Sequence, residues 1–207
     1  MDINTTRLRC TIGWLAIILP WLSVFFSMVF GHTIWPQSIS ITYYQFQTAM
    51  PVLMIILGAA SFLLFSYKGY DKLDDIINSI AAVFGLLILV FPCYNAAYPI
   101  CGNFQVPNNI SHIIHMVAAI AFFALLSFNS LFLFTKSGGE MTKEKKIRNI
   151  IYRVCGIGMI ASFLLLLIPN WRIGTWVVEA IALAFFGISW LTKADYYPWL
   201  FADKKDS

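Results

Sequence analysis

Charge is what this chain has least of: Asp, Glu, Lys and Arg together make up 12% of its 207 residues, about half the share found in soluble domains. Hydrophobic residues make up 59% and aromatics 16%. That balance excludes an ordinary soluble domain. Also missing are the signatures of several chemistries. The sequence has no Gly-rich phosphate loop, no paired-cysteine metal motif, no Gly-x-Ser-x-Gly nucleophile elbow and no matched histidines at mid-depth to ligate haem. Nucleotide hydrolysis is set aside on that ground. Two of the longer loops, 33–47 and 94–111, hold no Asp, Glu, Lys or Arg at all. Loops of that kind lie on a bilayer surface, or over a cavity as a lid, at lower desolvation cost than charged ones.

What is present is six apolar stretches, at about 11–31, 48–67, 76–93, 111–134, 149–168 and 174–192. Each is near the roughly 20 residues that cross a bilayer as a helix. The expectation is an all-α, polytopic membrane protein with six transmembrane helices in one bundle, residues 1–207 forming a single membrane domain. The first stretch follows Arg7 and Arg9 as a signal peptide would, but it is too long and no small-residue cleavage site follows Phe30, so it is expected to stay as a helix. Every Lys and Arg except Arg172 falls on alternate sides of the six stretches, and basic loops remain cytoplasmic. Both termini are therefore expected in the cytoplasm. The net charge of +4 does not call for nucleic acid, because these cations sit where they meet anionic headgroups. Membrane lipids are the expected partners; the oligomeric state is left open.

Local features refine the picture. Pro20 removes a backbone donor from the first helix, where a kink is expected. Asp71, Asp74 and Asp75 stand where they can cap the third helix. Ala81 with Gly85 and Ala180 with Ala184 repeat small residues four apart, a spacing that lets helices approach closely. Tyr196, Tyr197, Trp199 and Phe201 read as an interfacial foot. Arg153, Asn78 and Asn129 form a polar layer, read as a snorkelling cation and asparagines that bridge helices. Cys93 and Cys101 flank the start of an outer loop, where a disulfide is one option and two unrelated small residues the other.

The candidate site lies at the opposite end from the cations. His32, His112 and His115 all fall at the outer ends of their helices, and Glu179 is the one acid inside a predicted span. Glu179 sits about five residues in, roughly 7 Å deep at 1.5 Å per residue, where a carboxylate needs a partner, water or a proton. Arg172 stands close enough along the chain to reach down to it. His112 and His115 are three apart and share a helix face. These three histidines with Glu179 could hold a metal such as zinc, with an open position for activated water. The spacing is permissive only, since the familiar zinc helix places its histidines four apart beside a Glu.

Several strings together resemble an uncharacterised family of small six-helix bacterial membrane proteins. They are Ser38-Ile39-Ser40 with Tyr43-Tyr44, Tyr67-Lys68-Gly69-Tyr70-Asp71 with Asp74, Phe91-Pro92, the His112 and His115 helix, Arg148-Asn149 with Tyr152-Arg153 and Cys155-Gly156, and Glu179 with Phe186-Gly187, Ser189-Trp190-Leu191 and Lys193. The resemblance implies the same topology and a bacterial cytoplasmic membrane, and supplies no reaction. Three functions fit the residues. The first is a pocket open to the outer leaflet that binds or transports a lipid or small solute, lined by Glu179, His112, His115, His32, Arg172, Ser38, Ser40, Tyr43 and Tyr44. The second is a metal-dependent membrane hydrolase built on His112, His115 and Glu179. The third is a scaffold subunit of a larger membrane complex.

Overall fold

The computed structural model describes residues 3–32, 35–136, 141–167 and 174–200. Six helices in it are long and apolar enough to cross a membrane. They are α1 (Ile3–Val29), α2 (Ala49–Ser66), α3 (Lys72–Val90), α4 (Asn108–Phe128), α5 (Lys143–Leu164) and α6 (Thr175–Lys193). The chain is thus an all-α, multi-pass membrane protein. Each helix packs on its neighbours in sequence and α6 closes on α1, so the six form a ring whose most sparsely packed seam is α4 against α5. The outward surface carries Phe62, Phe65, Ile120 and Ile157, all exposed, as suits a protein solvated by lipid chains. The start of α1 and the end of α6 share one end of the bundle, where Arg9 Nη1 donates to the Lys193 carbonyl at 3.3 Å.

Four helices, α1, α3, α4 and α5, begin earlier than their apolar stretches, while α2 and α6 begin one residue later. α1 starts at Ile3 and α5 at Lys143, because Arg, Lys and Glu are themselves good helix formers. Thr142 also caps α5, its Oγ1 accepting from Lys145 N at 3.1 Å. Hydropathy marks the membrane crossing, and the helix runs on past it. α1 continues through the buried Pro20. α4 extends through a π turn at Asn129–Leu133, which directs two successive side chains inward. Asn129 Nδ2 donates to Asn78 Oδ1 on α3 at 2.8 Å, and Ser130 Oγ pairs with Ser189 Oγ on α6 at 2.6 Å. Arg153 is exposed.

The acids at the N-cap and in the first turn of α3 hold the turn that follows α2. Asp71 Oδ1 accepts from Asp74 N at 3.1 Å, Asp74 Oδ2 from Tyr70 N at 2.9 Å and Asp75 Oδ1 from Gly69 N at 2.7 Å. Lys136, just beyond α4, adds ion pairs to Asp71 at 2.7 Å and Asp74 at 3.2 Å. The hydrogen bond from Lys136 holds the Asp71 carboxyl below the usual carboxylate range, and the Asp71 carboxylate in turn raises Lys136. A depressed carboxylate contributes stability above its unfolded pKa of about 3.9 and loses it as pH falls through the folded value. Lys136→Met is expected to move the Asp71 titration, followed by carboxyl NMR, back up to the ordinary range. An unchanged midpoint would refute the clamp.

Two close approaches set the ring's spacing. A Cβ on Gly187 of α6 would lie 2.6 Å from the Gly13 carbonyl oxygen of α1, and one on Gly85 of α3 would lie 2.4 Å from Ser61 Oγ of α2. The small-residue reading holds at Gly85. In α6 the close contact falls on Gly187 instead of Ala180 and Ala184, which are only half-buried.

The uncharged loops fold over the far end of the bundle. The first carries a 3-10 turn at Ser40–Tyr44 with Thr42, Tyr43 and Tyr44 buried. The second forms a two-residue antiparallel ribbon, β1 (Ile100–Cys101) with β2 (Val106–Pro107). They dock through Tyr44, stacked on Tyr98 at 4.8 Å.

Candidate functional site

Pro92 determines how the site is built. In a regular helix the Ile88 carbonyl would accept from the residue four further on, but residue 92 is proline and has no N–H. α3 ends at Val90, and the carbonyls around its end need outside donors. Side chains supply them. His115 Nδ1 lies 2.8 Å from the Phe91 oxygen and 3.3 Å from that of Ile88. Ser111 Oγ donates to the Pro92 carbonyl at 2.8 Å, and the Tyr44 hydroxyl to that of Cys93 at 2.6 Å. Ser111 and His115 are four apart on α4 and so face the same way.

With two carbonyls at Nδ1, that nitrogen carries the hydrogen. The Nε2 of the buried His115 then faces Ser40 Oγ at 3.2 Å. Ser40 Oγ also reaches Glu179 Oε1 at 3.4 Å, and the Ile39 N–H donates to Glu179 Oε2 at 2.5 Å. The groups form a row: Phe91 carbonyl, His115, Ser40, Glu179, Ile39 amide. Ser40 has a single hydroxyl hydrogen and cannot donate to both neighbours. The row closes when one mobile proton is shared. Either a Glu179 carboxylic acid donates to Ser40 and Ser40 to Nε2, or an imidazolium Nε2–H donates to Ser40 and Ser40 to the carboxylate. Both arrangements are neutral overall, as a membrane interior favours, and moving between them passes a proton along the row.

The trio of Ser40, His115 and Glu179 forms the polar end of a cavity of about 120 Å³. The rest of the wall is almost wholly apolar and draws on every helix, including Leu19, Leu57, Ile88, Phe122, Phe163 and Leu183. Met116 and Ile120 of α4 and Leu166, just past α5, edge it and are themselves exposed. The cavity therefore opens at the loose α4–α5 seam toward the surrounding membrane.

Other residues expected at the site go elsewhere. Ser38 Oγ accepts from Ile41 N at 3.0 Å and so caps the 3-10 turn. Tyr43 and Tyr44 serve the loop layer, their rings edge-on at 5.5 Å. His112 Nδ1 accepts from Tyr94 N at 3.2 Å on the rim, and His32 is exposed with φ at 51°. Arg172 lies outside the described residues. The metal expectation is corrected: among the described residues no three His, Cys, Asp or Glu side chains converge on a possible ion. A three-residue offset leaves two histidines about 60° apart around a helix, and the backbone takes one ring nitrogen of each. The disulfide option is corrected as well, since Cys93 and Cys101 are both free. Cys101 Sγ faces Asn108 Oδ1 at 3.8 Å. Burial pushes the Cys93 thiol up to about 12, which suppresses the thiolate that exchange requires.

Sequence reasoning missed the Ile39 amide, the two carbonyls that orient His115 and the aromatic wall. One signal for them existed, in Pro92 standing four residues after Ile88. It also did not foresee that Arg9, Arg148 and Lys193 turn inward, being only 6%, 5% and 5% exposed. No family model, curated protein or solved structure matches this chain, which leaves its own geometry as the guide to function.

Proposed function

We propose that this is a bacterial cytoplasmic-membrane protein that binds, and passes on, a lipid or small amphipathic solute taken from the outer leaflet. The observation that carries the reading is the hydrogen-bonding end of an otherwise apolar cavity that opens sideways to the membrane. Small-molecule sites share this composition, mostly apolar walls with a few convergent polar groups. Size narrows the ligand. A dry cavity of about 150 Å³ admits one benzene-sized molecule, so 120 Å³ holds a head or a short chain segment. Anything longer extends through the α4–α5 opening into the bilayer. The head needs a hydroxyl or carbonyl to exchange hydrogen bonds with Ser40, His115 and Glu179. The location follows the resemblance noted in the sequence, and the alternation of cations supports cytoplasmic termini.

Ala119→Trp places a large ring in this cavity, which Ala119 lines. Native mass spectrometry of the wild-type protein is expected to retain a bound amphiphile that this variant loses, with helical content unchanged by circular dichroism. Equal retention by both proteins would count against the reading.

The distance from His115 Nε2 to Ser40 Oγ, 3.2 Å, favours a second reading, acyl transfer from a lipid ester with Ser40 as nucleophile and His115 as base. It uses no metal. Glu179 contacts Ser40 and not His115 Nδ1, so the base here is oriented by backbone carbonyls. Labelling of wild type but not Ser40→Ala by a fluorophosphonate would favour this reading over simple binding.

A further inference from the structure

On the binding reading proposed for the membrane cavity, we infer that its ligand is a lipid alcohol, an apolar chain ending in an uncharged hydroxyl, so that a hydroxyl and not a carbonyl is the head it selects. The row of polar groups makes the selection. His115 Nδ1 lies 2.8 Å from the Phe91 oxygen, His115 Nε2 3.2 Å from Ser40 Oγ, Ser40 Oγ 3.4 Å from Glu179 Oε1, and Glu179 Oε2 2.5 Å from Ile39 N. The Ser40–Glu179 link is the longest of these and lies beyond the usual hydrogen-bond range. Ser40, His115 and Glu179 all line the cavity, so a ligand oxygen arriving through it displaces that link at the smallest cost. Both ends of the row are held from behind, Glu179 by the Ile39 amide and His115 by backbone carbonyls.

The displaced link needs a donor and an acceptor on the same atom. Either arrangement of the row runs in one direction, from Glu179 toward His115 or back. A hydroxyl both accepts and donates, so it enters between Ser40 and Oε1 and lengthens the row by one member in both arrangements. An ether or carbonyl oxygen only accepts. It can take the Glu179 proton, but Ser40 then receives no donor. In the reverse arrangement the Glu179 carboxylate gives up Ser40 and gains nothing, and a buried charge stripped of a hydrogen bond is costly.

Charge excludes the remaining heads. No Lys or Arg is among the described residues that line the cavity, and the groups that hold Glu179 are the neutral Ile39 amide and Ser40. To keep such a site neutral, a carboxylate or phosphate head would have to bring a proton with it and an ammonium head would have to drive one out. The ammonium would also surrender a strongly held hydration shell. A hydroxyl changes no charge. Beyond the head the walls ask for hydrocarbon. Phe122, Phe123 and Phe163 line the space, and Met116, Ile120 and Leu166 are exposed at the α4–α5 opening, through which the chain runs into the bilayer.

The test offers the full chain in nanodiscs dodecanol, methyl dodecyl ether, dodecanoate or dodecylammonium at equal membrane mole fraction. Native mass spectrometry counts the binding that Ala119→Trp abolishes, which removes adsorption outside the cavity from the comparison. Dodecanol is expected to bind about tenfold tighter than its methyl ether, as befits one buried hydrogen bond, and tighter still than either ion. Ser40→Ala is expected to bring alcohol and ether level, and the wild-type series decides the matter even where that variant fails to fold. Equal binding of alcohol and ether by the wild type, or a preference for either ion, would overturn the hydroxyl head while the cavity stands as a binding site. If no probe distinguishes wild type from Ala119→Trp, the binding reading falls together with it.

Discussion

Glu179→Leu is expected to destabilise the protein by about 1–3 kcal/mol, the cost of leaving a buried donor unsatisfied, while Glu179→Gln is expected to remain close to wild type. Leucine matches the surrounding wall in polarity but accepts nothing. It orphans the Ile39 amide, which donates to Glu179 Oε2, and removes the Glu179 Oε1 contact of Ser40. The 3-10 turn then loses its side-chain tie to α6, while the backbone bond from Trp176 N to the Gln37 carbonyl at 2.9 Å still links the loop to that helix. Glutamine keeps both contacts, its oxygen accepting from Ile39 and its amide donating to Ser40. That is the pattern of the protonated acid, with Ser40 free to donate to His115 Nε2. Denaturation of the three proteins in mixed micelles measures the difference. Equal losses for Gln and Leu would show that the site needs the carboxylate charge, and would exclude the arrangement in which Glu179 is the proton donor.

Gly187→Val should cost a comparable amount, about 1–3 kcal/mol as for an overpacked core, by a different route. Its Cβ would lie 2.6 Å from the Gly13 carbonyl oxygen and 2.5 Å from Ile17 Cγ1, while a Cβ on Gly13 would meet the Gly187 oxygen at 2.9 Å. Backbone atoms cannot rotate aside as a side chain can, so the two helices must separate. This seam closes the ring between α6 and α1, so separation also loosens the wall between Glu179 and Leu19. Ala184→Val, at a half-buried position one turn away, is expected to cost less. If unfolding in mixed micelles ranks the two variants the other way round, α6 does not pack on α1 as described.

These two residues show how far the chain was readable. Glu179 was singled out from sequence because an ionisable group among apolar neighbours is conspicuous wherever the helix turns. Gly187 was not, because a glycine's packing role depends on what stands opposite it, and the Ala180–Ala184 spacing looked as suitable. Histidine behaved in the same way. All three histidines could be placed at one end, but only the tertiary fold selects His115, through carbonyls that Pro92 leaves without backbone partners and through Ser40 arriving on a loop 75 residues away along the chain.

The sequence by itself determined the class and the number of crossings. In hydrocarbon each segment must satisfy its own backbone as a helix, and apolar length is counted residue by residue along the chain. Only the tertiary structure decided which polar groups meet. Rotation of α4 about its axis buries His115 and leaves His112 on the rim, and the path of an uncharged loop brings Ser40 to Glu179. The cations show the same division. Their side of the membrane is a matter of local sequence, but whether Arg9, Arg148 and Lys193 face lipid or one another depends on how α1, α5 and α6 converge, and no single segment encodes that.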